Sequence, residues 1–302
     1  MSANDVEIAV VRTNGLYLFA DGSEKTVNSL PLFDKQSHAA EVTANGLEPY
    51  IVRVGSHSHV GFFTHLRTEL ATLYENWVIA DVGGYIGAIG LPLAKWISLL
   101  AEGERATVTI FEPTSMAEMI ARSITFNGLE GVAKVLNVAA SDRAGTARFS
   151  SRPTQRVSGH IGTGKADDLT VTVETVLLDS VYGHLTDTLV IAKIDTEGHE
   201  PAVLNGFTRT IENNPCVLIV EFHQFCLGKR VAGTTYEDFL FDRFQVFNVG
   251  NIGYPKQILP VADTAALKGF ANRDGNKLTD IICFSKKIPG ERIAAIVAPY
   301  NR

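Results

Sequence analysis

From about residue 60 onward, short apolar runs alternate with stretches of helical spacing, and this alternation restricts the fold more than any other feature of the chain. Val60–Glu75 places Phe63, Leu66, Leu70 and Leu73 on one helical face. Trp77–Val82 then reads as a buried strand and Ile86–Ala101 as a helix. Thr107–Phe111 is the next strand, Ser115–Asn127 the next helix and Val132–Ala139 a third strand. Leu189–Ile194, the helix Pro201–Glu212 and the strand Cys216–Phe222 continue the series, and Phe244–Val249 with Thr279–Phe284 make a final strand pair. Apolar strands alternating with amphipathic helices predict an α/β protein with a mostly parallel sheet covered on both faces. Such sheets bind ligands outside the carboxyl ends of their strands. The residues that follow each strand are therefore the functional candidates.

Several function classes are excluded or disfavoured by the rest of the chain. Its 302 residues are 45% hydrophobic and 20% charged, which argues against global disorder. Lys and Arg total 27 against 33 Asp and Glu, and no basic stripe favours a nucleic-acid partner. Three dispersed cysteines, Cys216, Cys226 and Cys283, give no disulfide framework or close ligand pair. No signal layout opens the sequence and no apolar run approaches a membrane span, so the expectation is a cytoplasmic protein without a membrane partner. Residues 150–170, rich in Ser, Gly, Thr and Arg, read as a long loop, a feature more often functional or mobile than neutral.

The first strand ends in Asp81-Val82-Gly83-Gly84-Tyr85-Ile86-Gly87. Glycines there allow a sharp strand-to-helix turn and a close ligand approach. The G-x-G-x-x-G spacing of a dinucleotide site is absent. Asp81 can hold the loop's N–H groups or a ligand amine, so a cationic ligand fits better than a pyrophosphate; a tight turn without a ligand is the plainer alternative. Glu112, which ends the second strand, can accept both hydroxyl hydrogens of a ribose. After the third strand, Ser141 and Asp142 leave room for a flat base, or simply make a turn.

The fourth strand leads into Lys193-Ile194-Asp195-Thr196-Glu197-Gly198-His199-Glu200. Clustered titratable groups at a sheet's carboxyl edge point to chemistry, although helix capping accounts for one or two of them. The fifth strand ends in Glu221-Phe222-His223, with Glu221 and His223 on one face. Asp195, Glu221 and His223 could hold a divalent metal, but so loose a triplet does not favour one, and no metal ligand is assigned.

Taken together, Asp81-Val82-Gly83-Gly84-Tyr85-Ile86-Gly87, Phe111-Glu112-Pro113, Phe126-Asn127-Gly128-Leu129, Ala140-Ser141-Asp142 and Lys193 to Glu200 resemble the successive signatures of FkbM-type methyltransferases. The resemblance spans about residues 70–225. It implies the seven-stranded class I methyltransferase fold (Rossmann-like, mostly parallel) and S-adenosylmethionine as cofactor. Asp81, Gly83, Gly84, Tyr85 and Gly87 would line the cofactor's methionine end. Glu112 would hold the ribose, and Ser141 and Asp142 would lie near the adenine. Tyr85 departs from the family pattern, which usually has Asn there.

Asp195, Glu197, His199 and His223 are the catalytic candidates, with Asp195 facing the acceptor and His199 or His223 as base. The expected division is an N-terminal extension over 1–58 (a lid, a dimer arm or added strands), a methyltransferase domain over 59–290 and a tail over 291–302. O-methylation of a small metabolite, sugar or natural product is the leading reading, and a homo-oligomer is compatible with it. The alternatives are an NAD-dependent sugar-modifying enzyme and a non-catalytic binding protein.

Overall fold

The computed structural model describes residues 6–11, 49–54, 59–87, 89–98, 100, 105–152, 155–162, 169–250, 257–273 and 277–301. Near the N-terminus, β1 (Val6–Val11) and β2 (Pro49–Val54) pair antiparallel. Leu16–Ala20, which the sequence reads as a further β-like run of the N-terminal extension, lies outside the described residues. There follow α1 (His59–Leu70), β3 (Asn76–Val82), α2 (Gly90–Ser98), β4 (Arg105–Phe111), α3 (Met116–Phe126) and β5 (Ala133–Leu136). Four strands come next: β6 (Ala139–Ala140), β7 (Gly145–Arg152), β8 (Gln155–Ile161) and β9 (Leu169–Val176). After them the chain forms α4 (Leu178–Tyr182), β10 (Thr188–Ile194), α5 (Glu200–Asn205), α6 (Thr208–Asn213) and β11 (Cys216–His223). The short strands β12 (Arg230–Val231) and β13 (Thr234–Thr235), α7 (Tyr236–Arg243), β14 (Phe244–Gly250) and β15 (Leu259–Pro260) lead to α8 (Thr264–Asn272), β16 (Leu278–Ser285) and α9 (Gly290–Val297).

The main sheet has the order β15-β14-β16-β11-β10-β3-β4-β5. The five strands from β11 to β5 are parallel to one another. β16 runs antiparallel to both β11 and β14, and β15 runs antiparallel to β14. The expected seven mostly parallel strands are thus corrected to eight described strands in a mixed sheet. The added strand, β15, is two residues long and ends in Pro260, a residue confined to strand edges by its missing N–H. It carries no apolar run for the sequence to display.

Burial explains why the central strands were legible. Every residue of β10 is buried. Leu189 and Ile191 enter one core, while Val190, Ala192 and Ile194 enter the other. Side chains alternate across a strand, so a strand covered on both faces is apolar at most positions, Thr188 and Lys193 being the exceptions in β10. α1, α2, α3 and α9 contribute to the first core; α5, α7 and α8 contribute to the second. Ile293, Ile296 and Val297 of α9 are buried in the first core, so this part of the C-terminal segment is docked on the sheet.

Three local expectations change. The helix expected from Ile86 begins at Gly90, because Gly83, Tyr85 and Gly87 have φ of 83°, 50° and 79° and keep the chain in a loop. The helix expected over Pro201–Glu212 is two helices broken at Gly206-Phe207. Within the expected long loop over 150–170, the described residues 150–152, 155–161 and 169–170 are strand, residues 153–154 and 163–168 lying outside the described set; β6, β9, β7 and β8 make a separate four-stranded sheet. Within it, Phe149 lies against Gly159, where a side chain would collide with its ring. The expected strand Val132–Ala139 is split between the two sheets at Leu136.

The sheet's topology fixes where a ligand fits. From β3 the chain moves outward to β4 and β5, then returns to the opposite side of β3 as β10. Strand order therefore reverses between β3 and β10. The crevice at such a switch point is the expected ligand site of an open α/β sheet.

Candidate active site

Two backbone segments meet in that crevice. β3 ends at Asp81-Val82 and opens into the glycine loop; β10 ends at Ile194 and opens into Asp195–Gly198. The Asp195 N–H donates to the Val82 carbonyl at 3.1 Å. A side chain on Gly83 would land on the Asp195 carbonyl oxygen, and one on Gly84 would land on Ile110. Only glycine permits both this approach and the φ of 83° at Gly83.

Asp81 is buried, and its Oδ2 accepts a 2.8 Å hydrogen bond from Gly90 N at the start of α2. Burial pushes its carboxyl above the usual range, against the opposing pull of Lys193. This carboxylate sits where a dinucleotide's pyrophosphate would take helix N–H groups. It therefore occupies a donor and repels a second anion there.

Glu112, just beyond β4, is also buried. Its Oε2 accepts from Tyr85 N at 2.8 Å, and its Oε1 from Thr114 N at 2.8 Å and Thr114 Oγ1 at 2.5 Å. Burial raises its carboxyl, opposed by these bonds. A carboxylate offers about four acceptor sites, so it retains capacity for a ligand hydroxyl. Asn137 Nδ2 braces this corner by donating to the carbonyls of Glu112 and Thr114, each at 2.9 Å. Sequence reading missed Asn137, and its role has no local signal because its partners lie more than twenty residues away.

Ser141 and His199 form a second corner. Ser141 Oγ lies 2.9 Å from His199 Nε2, and a side chain on Gly206 would strike the Ser141 carbonyl. Asp142 is exposed and pairs with Arg143 at 3.6 Å. Burial lowers the pKa of His199, and its charged neighbours are Asp142, Lys229 and Arg143. His199 is thus placed with the Ser141-Asp142 turn.

The third group is strongly acidic. Lys193 is buried, and its Nζ lies 2.5 Å from Asp195 Oδ2. Burial would raise Asp195, but the Lys193 ammonium outweighs it and holds the carboxyl below its ordinary value. Glu221 Oε2 lies 2.7 Å from His223 Nε2. Glu197 and Glu221 are each pushed up to about 7, first by burial and then by neighbouring carboxylates, with His223 opposing. Burial lowers His223, yet the Glu221 contact prevails and raises it.

Glu200 does the capping work expected of part of this motif. It is wholly buried, and its Oε1 accepts from Thr196 N, Thr196 Oγ1 and Gly198 N at 2.9–3.0 Å. These bonds hold Glu197 at φ 54°. Phe225, absent from the sequence reading, stands 62% exposed beside this group, its ring 4.9 Å from that of His223.

The structure therefore brings Asp195, Glu197 and His223 together with Glu221 and separates His199 from them. No described helix is long and apolar enough to cross a membrane.

Among solved structures, one similar chain is the methyltransferase FkbM from Methylobacillus flagellatus KT, at 14% identity and a TM-score of 0.40. That match covers 70% of this chain but only 44% of the other. A magnesium protoporphyrin IX methyltransferase from Synechocystis PCC 6803 with bound S-adenosylmethionine matches at 10% identity and a TM-score of 0.35, over 74% of this chain and 77% of its own. An rRNA methylase from Streptococcus thermophilus matches at 7% identity and a TM-score of 0.35, over 74% of this chain and 94% of its own. A search of curated proteins finds no match. The family model for the methyltransferase FkbM domain matches residues 81–243, more than half of the chain, and the chain belongs to that family.

Proposed function

We propose that the chain is an S-adenosylmethionine-dependent O-methyltransferase that acts on a hydroxyl of a small metabolite, sugar or natural product. One observation carries this reading: the glycine loop after β3 and the carboxylate–histidine group after β10 and β11 meet at the switch point, with Gly83 against Asp195. The residues present fit the cofactor. Glu112 keeps acceptor capacity for ribose hydroxyls, and the Ser141-Asp142 turn offers polar groups for an adenine. The buried Asp81 suits a ligand with a cationic end and disfavours a pyrophosphate, which argues against the NAD-dependent alternative.

Bound S-adenosylmethionine supplies an electrophilic methyl group on a sulfonium centre. The chain's own residues then orient the acceptor and manage its proton. A hydroxyl must lose its proton to become an effective nucleophile, and a cluster of carboxylates with a histidine is suited to receive it. Asp195 is fixed by Lys193 at the edge of the crevice and faces the acceptor. His223, which stands among the carboxylates, fits this work better than His199.

Asp195→Asn should keep cofactor affinity within about threefold yet lower turnover about a hundredfold or more, the range of a lost acid–base or orienting group. Transfer of label from methyl-labelled S-adenosylmethionine to a panel of hydroxyl acceptors reads the effect. Wild-type turnover in the variant would remove Asp195 from the mechanism. Transfer only to amines would overturn the O-methylation reading.

A further inference from the structure

We propose that Glu197, Glu221 and His223 bind one divalent cation at the acceptor end of the crevice. Each offers one ligand atom, and these atoms lie within 4.8 Å of one another. Ligands bound to one ion at about 2.0–2.6 Å are separated by about 3–5 Å, so the three can converge on a single centre. Two carboxylate oxygens and one imidazole nitrogen suit magnesium, manganese, iron or zinc.

Two further observations favour a cation over a self-contained ion-pair network. Among the described residues, the Glu197 carboxylate has no hydrogen-bond or ion-pair partner, although it is half-buried and aimed into the group. Of the nearby ammonium groups, Lys193 is held by Asp195 and Lys229 Nζ donates to the Gly198 carbonyl at 3.1 Å. His223 is the only cation-forming side chain in the cluster, and it is 7% exposed with Nε2 toward Glu221. The set therefore offers two carboxylates for one imidazole in a partly desolvated crevice. Asp195 is not one of the three, and its Oδ2 is held by Lys193.

The catalytic use of this site rests on the methyltransferase reading; cation binding does not. In that use, the ion would contact the acceptor oxygen and lower the pKa of its hydroxyl, so that the proton leaves to solvent, and Glu197, Glu221 and His223 would act as ligands in place of receiving it. Phe225 lies against the His223 ring.

The test is titration of the chelator-treated, desalted protein with Mn2+, followed by loss of the free-ion electron paramagnetic resonance signal. Wild-type protein should bind one equivalent. Glu197→Gln and Glu221→Gln should each weaken binding about tenfold or more, and Glu174→Gln, on the exposed face of β9, should not change it. S-adenosylmethionine binding is measured in parallel on the same samples. Retained cofactor binding with no Mn2+ uptake at millimolar ion would overturn the cation site and leave the methyltransferase reading standing. Mn2+ uptake without cofactor binding would do the reverse. Uptake that persists in the Glu197→Gln/Glu221→Gln double variant would assign the ion elsewhere and overturn the proposal.

Discussion

Gly83→Ala is expected to abolish measurable S-adenosylmethionine binding and to lower the melting temperature. At φ 83° an alanine costs about 1–2 kcal/mol in backbone strain alone. The new methyl group would also coincide with the Asp195 carbonyl oxygen, which belongs to backbone and cannot swing aside. Relieving that overlap costs about 1–3 kcal/mol more and separates the two segments that form the crevice. A combined penalty of about 2–5 kcal/mol corresponds to at least about a thirtyfold loss in whichever equilibrium bears it. Gly128→Ala is the control: its φ is 64°, but no atom lies within 4 Å of the added methyl group. That variant should show the strain cost without loss of binding. Calorimetric titration and thermal unfolding of both variants separate the effects. Wild-type affinity in Gly83→Ala would show that β3 and β10 do not jointly form the site.

Glu112→Gln should weaken cofactor binding about 10- to 100-fold, from the loss of charge-assisted hydrogen bonds worth about 1.5–3 kcal/mol. Glutamine keeps the shape, but one oxygen becomes an NH2 donor facing other donors. Oε2 receives Tyr85 N, and Oε1 receives Thr114 N and Thr114 Oγ1, so either amide orientation leaves a donor opposed. The effect thus has two sources: a lost ligand contact and a loosened loop at Tyr85. A double-mutant cycle with 2′-deoxy S-adenosylhomocysteine separates them. The wild type should lose affinity for the deoxy ligand, whereas Glu112→Gln should discriminate little between the two ligands. Equal discrimination in both proteins would mean that Glu112 supports the loop without touching the ribose.

What could be read from the sequence follows from which forces act locally. β10 and β11 were legible because both faces are buried and most positions are apolar, Thr188, Lys193, Glu221 and His223 excepted. The glycine loop was legible because positive φ demands particular residues, although its true extent was not. Ile86 and the residues after it continue a helical pattern, but Gly87 at φ 79° delays the helix to Gly90. β7 and β8 were hidden because their Ser, Thr, Gly and Arg give little alternation and their pairing is set by distant partners such as Phe149 with Val171 and Ile161, whereas β9 does alternate over Leu169-Thr170-Val171-Thr172-Val173.

The site was legible as a list of strand ends and less so as a geometry. Nothing local distinguishes His199 from His223; packing places one beside Ser141 and the other beside Glu221. Nor does the sequence reveal that Lys193 claims Asp195, leaving Glu197 to join Glu221. Gly206 lies inside the helix expected over Pro201–Glu212, and the reason for glycine there is the carbonyl of Ser141, which lies 65 positions earlier in the chain.

Calorimetric titration of the wild-type protein with S-adenosylmethionine, S-adenosylhomocysteine and NAD in parallel tests the central claim most directly. Saturable binding of both adenosyl ligands, with no heat from NAD beyond dilution, is the predicted result. Binding of NAD, or failure of both adenosyl ligands to bind, would contradict the assignment of the crevice between β3 and β10 as a methyl-donor site.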